Sequence, residues 1–341
     1  MMKTLKIILL VMVSVAIALA GAEGVSRLLF PIHYGQKYFM TDGVTPAQPL
    51  QDALTLTPDL QYRQIAQEFD KPTTHTSRGF RGPAKGFMDP AQPDVIFIGD
   101  SMTYGIGLAD SETIPFQFCQ TLKLRCINLG RPGASTVTAL KVLEHYLTVY
   151  QLRPVKVNLM MNVMTASLFG GNDLLDNLQD VSPIPPQADT PVDPTSQPPS
   201  ESWTQTILSY RTQMLETLNL VRVTYYVLAP WLRATFNPAF QKDQLAQALS
   251  ITKSELVRLD ALARKYGFEY TIYLVHPLQD ITRGTYARTL EDIVRIAPQN
   301  RVVSTAEALM GEGNPSEYYY PLDGHVWPSG AEKIAAFMAG R

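Results

Sequence analysis

The sequence predicts an α/β protein built around a parallel, doubly wound sheet. Two observations carry that prediction. From Asp94 onward, short apolar runs alternate with segments of helical periodicity, the rhythm of parallel strands joined by crossover helices. The first run, residues 95–98, ends in Gly99-Asp100-Ser101 and so delivers a hydroxyl to a strand end, where open α/β sheets keep their chemistry.

The elements follow in order. Residues 95–98 read as a strand, 114–122 as a short helix and 125–129 as a second strand. Residues 136–150 carry Leu140, Leu143, Tyr146 and Leu147 at helical spacing, and 155–163 form a third strand. Residues 181–202 are rich in proline and polar side chains and cannot make a packed core. They are expected to be a surface insertion within one domain, 91–341. Helical sequence follows over 203–221 and 241–266, then an apolar strand over 269–275 that stops at His276-Pro277. A helix over 286–296, a short strand over 301–304 and a helix over 329–339 close the chain.

The 341 residues are 45% hydrophobic and 18% charged, the balance of an ordinary globular core. With 29 basic and 31 acidic side chains and no basic run, the chain offers no nucleic-acid surface. Its start is different in kind. Lys3 and Lys6 precede an apolar run, 7–20, and Ala18-Leu19-Ala20 fits an A-x-A cleavage site. Residues 1–22 therefore read as a signal peptide or a membrane anchor. The run is shorter than the about 17–25 residues a bilayer span needs, and both readings stand. Either one sends the chain out of the cytoplasm, to a periplasmic or other extracytoplasmic location, with an inner-membrane tether if the helix is kept. Residues 23–90, polar and proline-punctuated, read as a lead-in or stalk. An oxidising compartment permits a Cys119–Cys126 bridge if a helix end meets the next strand; two separate buried thiols are the alternative. Two cysteines and five scattered histidines have no metal-ligand spacing, so no metal is expected.

A serine nucleophile needs a base, and the base needs an orienting partner. His33 and His75 precede the regular domain, and His145 lies within a helical pattern. His276 ends a strand but is followed by proline, with no acid close by. His325 sits in a polar loop before the last helix, with Asp323 two residues upstream. Ser101, His325 and Asp323 are the candidate catalytic residues.

Gly99-Asp100-Ser101-Met102-Thr103-Tyr104-Gly105 resembles the first sequence block of the SGNH (GDSL-like) hydrolase superfamily. "INLGRPGAST" is similar to the second block, with Gly133 at the position of the oxyanion glycine, and Gly170-Gly171-Asn172-Asp173 to the third. "DGHVWPSGAEKIA" resembles the fifth block, which carries the acid and base. The resemblance implies a three-layer α/β/α, flavodoxin-like fold, a Ser101–His325–Asp323 triad and no cofactor. It also implies an oxyanion hole from the N–H groups of Ser101 and Gly133 and the amide of Asn172. Asp100 would brace the loop rather than move protons. The preceding "TSRGFRGP" resembles the lead-in of exported, membrane-tethered members.

Two departures bear on function. Asp323-Gly324-His325 is one residue shorter than the usual acid-to-base spacing and resembles the branch that O-acetylates alginate and related exopolysaccharides. The stretch from Pro154 to Asn172 is longer than usual, which makes Asn162 a rival for the oxyanion amide. The expected function is an exported ester hydrolase or O-acyltransferase acting on an acyl ester, such as an acylated envelope polysaccharide, with an envelope acyl-transfer partner in the second case. The alternative is a non-catalytic module that uses the same fold to bind a polysaccharide or an envelope partner.

Overall fold

The computed structural model describes residues 2–29, 38–42, 47, 48, 50, 54–66, 68–83, 86–163, 173–180, 220, 221, 238–298, 301–311, 313–321 and 323–341. They divide into two units, 1–34 with 184–238 and 35–183 with 239–341. In the first unit a single helix, α1 (Met2–Leu29), runs without a break through Ala18-Leu19-Ala20. Met12, Val13, Val15, Ile17, Leu19, Val25 and Leu28 are exposed along it. Among the described residues no helix is long and apolar enough to cross a membrane.

The second unit is centred on five parallel strands: β4 (Val95–Gly99), β5 (Cys126–Asn128), β6 (Lys156–Asn162), β7 (Glu269–Val275) and β8 (Val302–Ser304). Their spatial order is β5-β4-β6-β7-β8. The chain therefore reverses direction across the sheet beside β4, and the carboxyl end of β4 lies at the switch point where doubly wound sheets bind ligands. The strands are apolar throughout because both faces are covered. On one face Ile96, Ile98, Leu159, Met161, Ile272 and Leu274 pack against α4 (Thr136–Val149) and a long helix, Pro238–Tyr266. On the other, Phe97, Met160 and Tyr273 pack with Ile114 and Phe118 of α3 (Ile114–Leu122) and with Ile334 and Met338 of the last helix, Pro328–Ala339. The result is three layers, helix, sheet, helix, as predicted.

The predicted elements from 95 to 163 and from 269 onward recur within a residue or two at each end. Three short helices were not foreseen: Asp173–Asp180, Leu278–Arg283 and Ala306–Met310. One or two turns carry too little periodicity to register. The predicted insertion, 181–202, and nearly all of the predicted helix over 203–221 lie outside the described residues.

Residues 38–83 are where the stalk reading needs correcting. They belong to the same compact unit as the parallel sheet. They form an antiparallel sheet, β1 (Tyr38–Met40), β2 (Gln61–Ile65) and β3 (Asp70–Thr74), in that order. Pro72, which cannot donate a ladder bond, sits on the edge strand β3. The sheet is cemented to the parallel core by Tyr62, Phe69, Tyr104, Ile106 and Tyr320. Gly-Phe-Arg of the "TSRGFRGP" stretch is core as well. Phe80 and Arg81 are fully buried; Arg81 ion-pairs with Asp110 and donates to the Leu108 carbonyl at 2.9 Å.

Cys119, near the end of α3, and Cys126, at the start of β5, form a disulfide with their Cα atoms 6.3 Å apart. Both are fully buried. A bridge spanning seven positions removes loop entropy from the unfolded chain worth about 2 kcal/mol. Urea unfolding of a Cys119→Ala, Cys126→Ala double variant should show stability lower by about that amount, with a slope equal to or slightly above that of the unaltered chain because the unfolded state is less constrained. An unchanged midpoint would show that the bridge contributes nothing.

Candidate active site

The site begins where β4 ends. A Cβ on Gly99 would collide with Thr103 Oγ1 and with the carbonyl oxygen of Met160 on β6, so only glycine closes this junction. The next residue, Asp100, is the N-cap of a one-turn helix, α2 (Ser101–Tyr104), and accepts from the Met102 N–H at 2.9 Å. Asp100 is 3% exposed and also accepts a hydrogen bond from the Asn162 side chain at the end of β6. Burial pushes its carboxyl above the usual range, while these donors and the nearby His325 pull it back. Ser101 is thereby the first residue of α2, just past the sheet edge. With only four residues, α2 presents individual N–H groups rather than a developed helix dipole.

The opposite wall is a tight hairpin, 318–327. Tyr319 and Val326 form an antiparallel bridge, the Tyr320 N–H donates to the His325 carbonyl at 2.8 Å, and the Trp327 N–H to the Tyr318 carbonyl at 2.7 Å. Gly324 takes a left-handed φ of 81°, which turns Asp323 back beside His325. His325 Nδ1 lies 2.5 Å from Asp323 Oδ1, and its Nε2 lies 2.7 Å from Ser101 Oγ. A carboxylate only accepts, so Nδ1 carries the proton and Nε2 is left to accept from the serine. Asp100 Oδ2 is 3.5 Å from the same Oγ. The shorter, aligned contact makes His325 the serine's partner and leaves Asp100 as the brace the sequence suggested.

Gly133 lies in the turn Arg131-Pro132-Gly133-Ala134, closed by the Ala134 N–H on the Arg131 carbonyl at 3.2 Å. Its φ of 75° and the preceding proline are what a type II turn requires. The Arg131 N–H donates to the Gly99 carbonyl at 3.0 Å, and Asn128 Nδ2 to the Thr103 carbonyl at 2.9 Å, so this loop is tied to both ends of the turn that carries Ser101. Asn172 lies outside the described residues. Asn162, its rival, is described and is bonded to Asp100.

The other histidines are elsewhere. His145 is half-buried on α4 against Tyr146 and Tyr150, and His33 lies outside the described residues. His276 is fully buried, with Nε2 2.9 Å from Ser304 Oγ. His75 donates from Nδ1 to the Thr57 carbonyl at 2.8 Å, which leaves Nε2, 2.7 Å away, to accept from the Tyr104 hydroxyl; that hydroxyl in turn bonds Tyr62. Since Tyr104 ends the helix that Ser101 begins, this buried chain holds the Ser101 turn from behind. Burial holds Tyr104 up at about 12 and His75 down at about 4. A further contact escaped the sequence reading. Glu68, in the turn between β2 and β3, accepts from the Asp323 N–H at 2.7 Å. A glutamate in a polar stretch 255 positions away gave no signal of it.

No family model matches the chain, and no curated protein is detectably similar to it. Among solved structures, a chain from Desulfitobacterium hafniense DCB-2, described as lipolytic and of the G-D-S-L family, is similar at 12% identity and a TM-score of 0.35. The match covers 74% of this chain and 99% of that one.

His276 and His75, each pushed down by burial to about 4, are neutral in the fold, whereas an unfolded histidine titrates near 6.5. Protons then bind the unfolded chain preferentially between those values. Each residue's contribution is intact above pH 6.5 and is lost as pH falls toward about 4, by on the order of 3 kcal/mol apiece. Urea titrations at pH 7 and pH 4.5 should show a smaller pH-dependent loss in His276→Gln than in the unaltered chain. Equal losses would contradict the assignment.

Proposed function

We propose that this chain is an SGNH-type serine enzyme acting on acyl esters, with Ser101 as nucleophile, His325 as base and Asp323 as the residue that orients it. The observation that carries the reading is the continuous relay from Ser101 Oγ to His325 Nε2 at 2.7 Å and from His325 Nδ1 to Asp323 Oδ1 at 2.5 Å. Ser101 Oγ attacks the ester carbonyl carbon while its proton passes to His325 Nε2. The charge gathering on the carbonyl oxygen is met by the N–H groups of Ser101 and Gly133 and by an asparagine amide, Asn172 in the family pattern. Each such donor is worth about 2.7–4 kcal/mol in the barrier. Collapse expels the alcohol, which leaves with the proton from His325. Water or a sugar hydroxyl then attacks the acyl-serine, gives its proton to His325, and Ser101 is regenerated. Hydrolysis and transfer thus share one machinery and differ only in the second acceptor.

The export reading rests on Lys3 and Lys6 ahead of the apolar run. Although no helix among the described residues is long and apolar enough to cross a membrane, the apolar side chains exposed along α1 support retention at a membrane surface, with an envelope polysaccharide ester as substrate and an envelope acyl-transfer partner if transfer is the reaction.

Labelling with a fluorophosphonate probe should modify the unaltered chain and not Ser101→Ala. His325→Gln should lower kcat/KM for p-nitrophenyl acetate by about 10²–10⁴-fold, while His276→Gln should retain it. Labelling of Ser101→Ala, or loss of turnover only in His276→Gln, would remove the triad.

Alkaline phosphatase fused after residue 90 should be active, and a cytoplasmic reporter at the same point inactive. The reverse pattern would exclude an extracytoplasmic site.

A further inference from the structure

Trp327 is 42% exposed, while the Tyr320 ring stacked beneath it, with centroids 4.9 Å apart and planes 21° off parallel, is 2% exposed. The stack continues inward. Phe69, from the turn between β2 and β3, packs on Tyr320 at 5.1 Å, and the Tyr320 hydroxyl donates to the Gly107 carbonyl at 2.7 Å. Gly107 leaves room for this, since a Cβ there would meet Tyr320 at 2.7 Å and Phe69 at 3.0 Å. Two aromatic rings and a glycine thus hold one indole at the surface.

Its position ties that indole to the catalytic hairpin. Because Tyr319 pairs with Val326, the chain is extended there and side chains alternate between faces. Tyr319 and Val326 enter the core beside the sheet, whereas Tyr320, His325 and Trp327 share the opposite face. Trp327 stands two residues from His325, about 7 Å along the strand. One face of its ring is covered by Tyr320 and the other meets solvent. The same hairpin carries Asp323, whose N–H donates to Glu68 at 2.7 Å.

We propose that Trp327 is the stacking platform of the ester site and takes a pyranose ring of the substrate, the sugar that bears the acyl group or the next one along. This deepens the reading above and rests on it for the location of the chemistry. A pyranose turns a face of weakly positive C–H groups, which suits the negative face of an indole, and leaves its ring hydroxyls at the rim in contact with water. A fatty acyl chain asks instead for an enclosing apolar trough, and a single exposed ring does not supply one. Among the described residues, the other large apolar side chains exposed in this unit, such as Leu122, Val149 and Val257, are aliphatic and lie outside the hairpin.

The test uses the full chain carrying Ser101→Ala, so that nothing turns over, with Trp203→Phe and Trp231→Phe leaving Trp327 as the one fluorescent indole. It is titrated with O-acetylated pentamers of xylose, glucose, mannose and mannuronate, and separately with hexanoate. At least one pentamer should shift the indole emission saturably and hexanoate should not. By calorimetry, Trp327→Ala should weaken that pentamer's Kd by tenfold or more, and Trp327→Phe, which keeps a flat ring and guards against a folding failure, by less than threefold. No response to any pentamer, a saturable response to hexanoate alone, or an unchanged Kd in Trp327→Ala would overturn the platform. If a pentamer binds at Trp327 but fluorophosphonate fails to label Ser101 in the unaltered chain, the platform stands and the catalytic reading falls.

Discussion

The site depends on the absence of one carbon atom. A Cβ on Gly99 would occupy the space of Thr103 Oγ1 and of the Met160 carbonyl, so that β4 could not pair with β6 and turn at once into α2. With glycine there, the strand stays in register to its last residue and the chain reverses within a single peptide unit. Asp100 then caps α2 and Ser101 emerges at the sheet's switch point. Interiors are close-packed and do not yield to an added methyl, so this constraint propagates outward to every contact the serine makes.

Three segments far apart in sequence converge on that turn. The loop after β5 fastens it through Asn128 and Arg131, the 318–327 hairpin brings His325 to Ser101, and the antiparallel sheet of 38–83 supports both. That sheet buries His75, Tyr62 and Tyr104 as a connected set in which every hydroxyl and the imidazole find a partner. An isolated buried polar group is costly and an interlinked set is specific, so the network favours one placement of α2 over many. Glu68, from the same sheet, holds the backbone of Asp323. Ser101 and Asp323 are therefore both positioned by one small module.

The parallel sheet was legible because its strands are buried on both faces and read as unbroken apolar runs, as in Val95 to Ile98. The candidate residues Ser101, Asp323 and His325 were legible because Gly-Asp-Ser and Asp-Gly-His are local patterns, each written within three residues. The antiparallel sheet was not. Its buried positions include Gln64 and Thr73, so the alternation that marks a strand is one of accessibility and not of hydrophobicity. Arg81 was unreadable for a related reason: an arginine enters a core only with a partner, and Asp110 lies 29 positions downstream. The disulfide stayed open in the sequence because pairing depends on how α3 meets β5, which spacing alone does not determine.

The central claim is that this geometry is a working acyl-transfer site, and the most direct measurement is a crystal structure of the fluorophosphonate adduct. The account predicts phosphorus bonded to Ser101 Oγ, one phosphoryl oxygen about 2.7–3.1 Å from the Ser101 and Gly133 nitrogens, and an asparagine amide completing the set. His325 Nε2 should face the position the leaving group vacates. A phosphoryl oxygen turned away from Gly133, or an adduct on another residue, would contradict it.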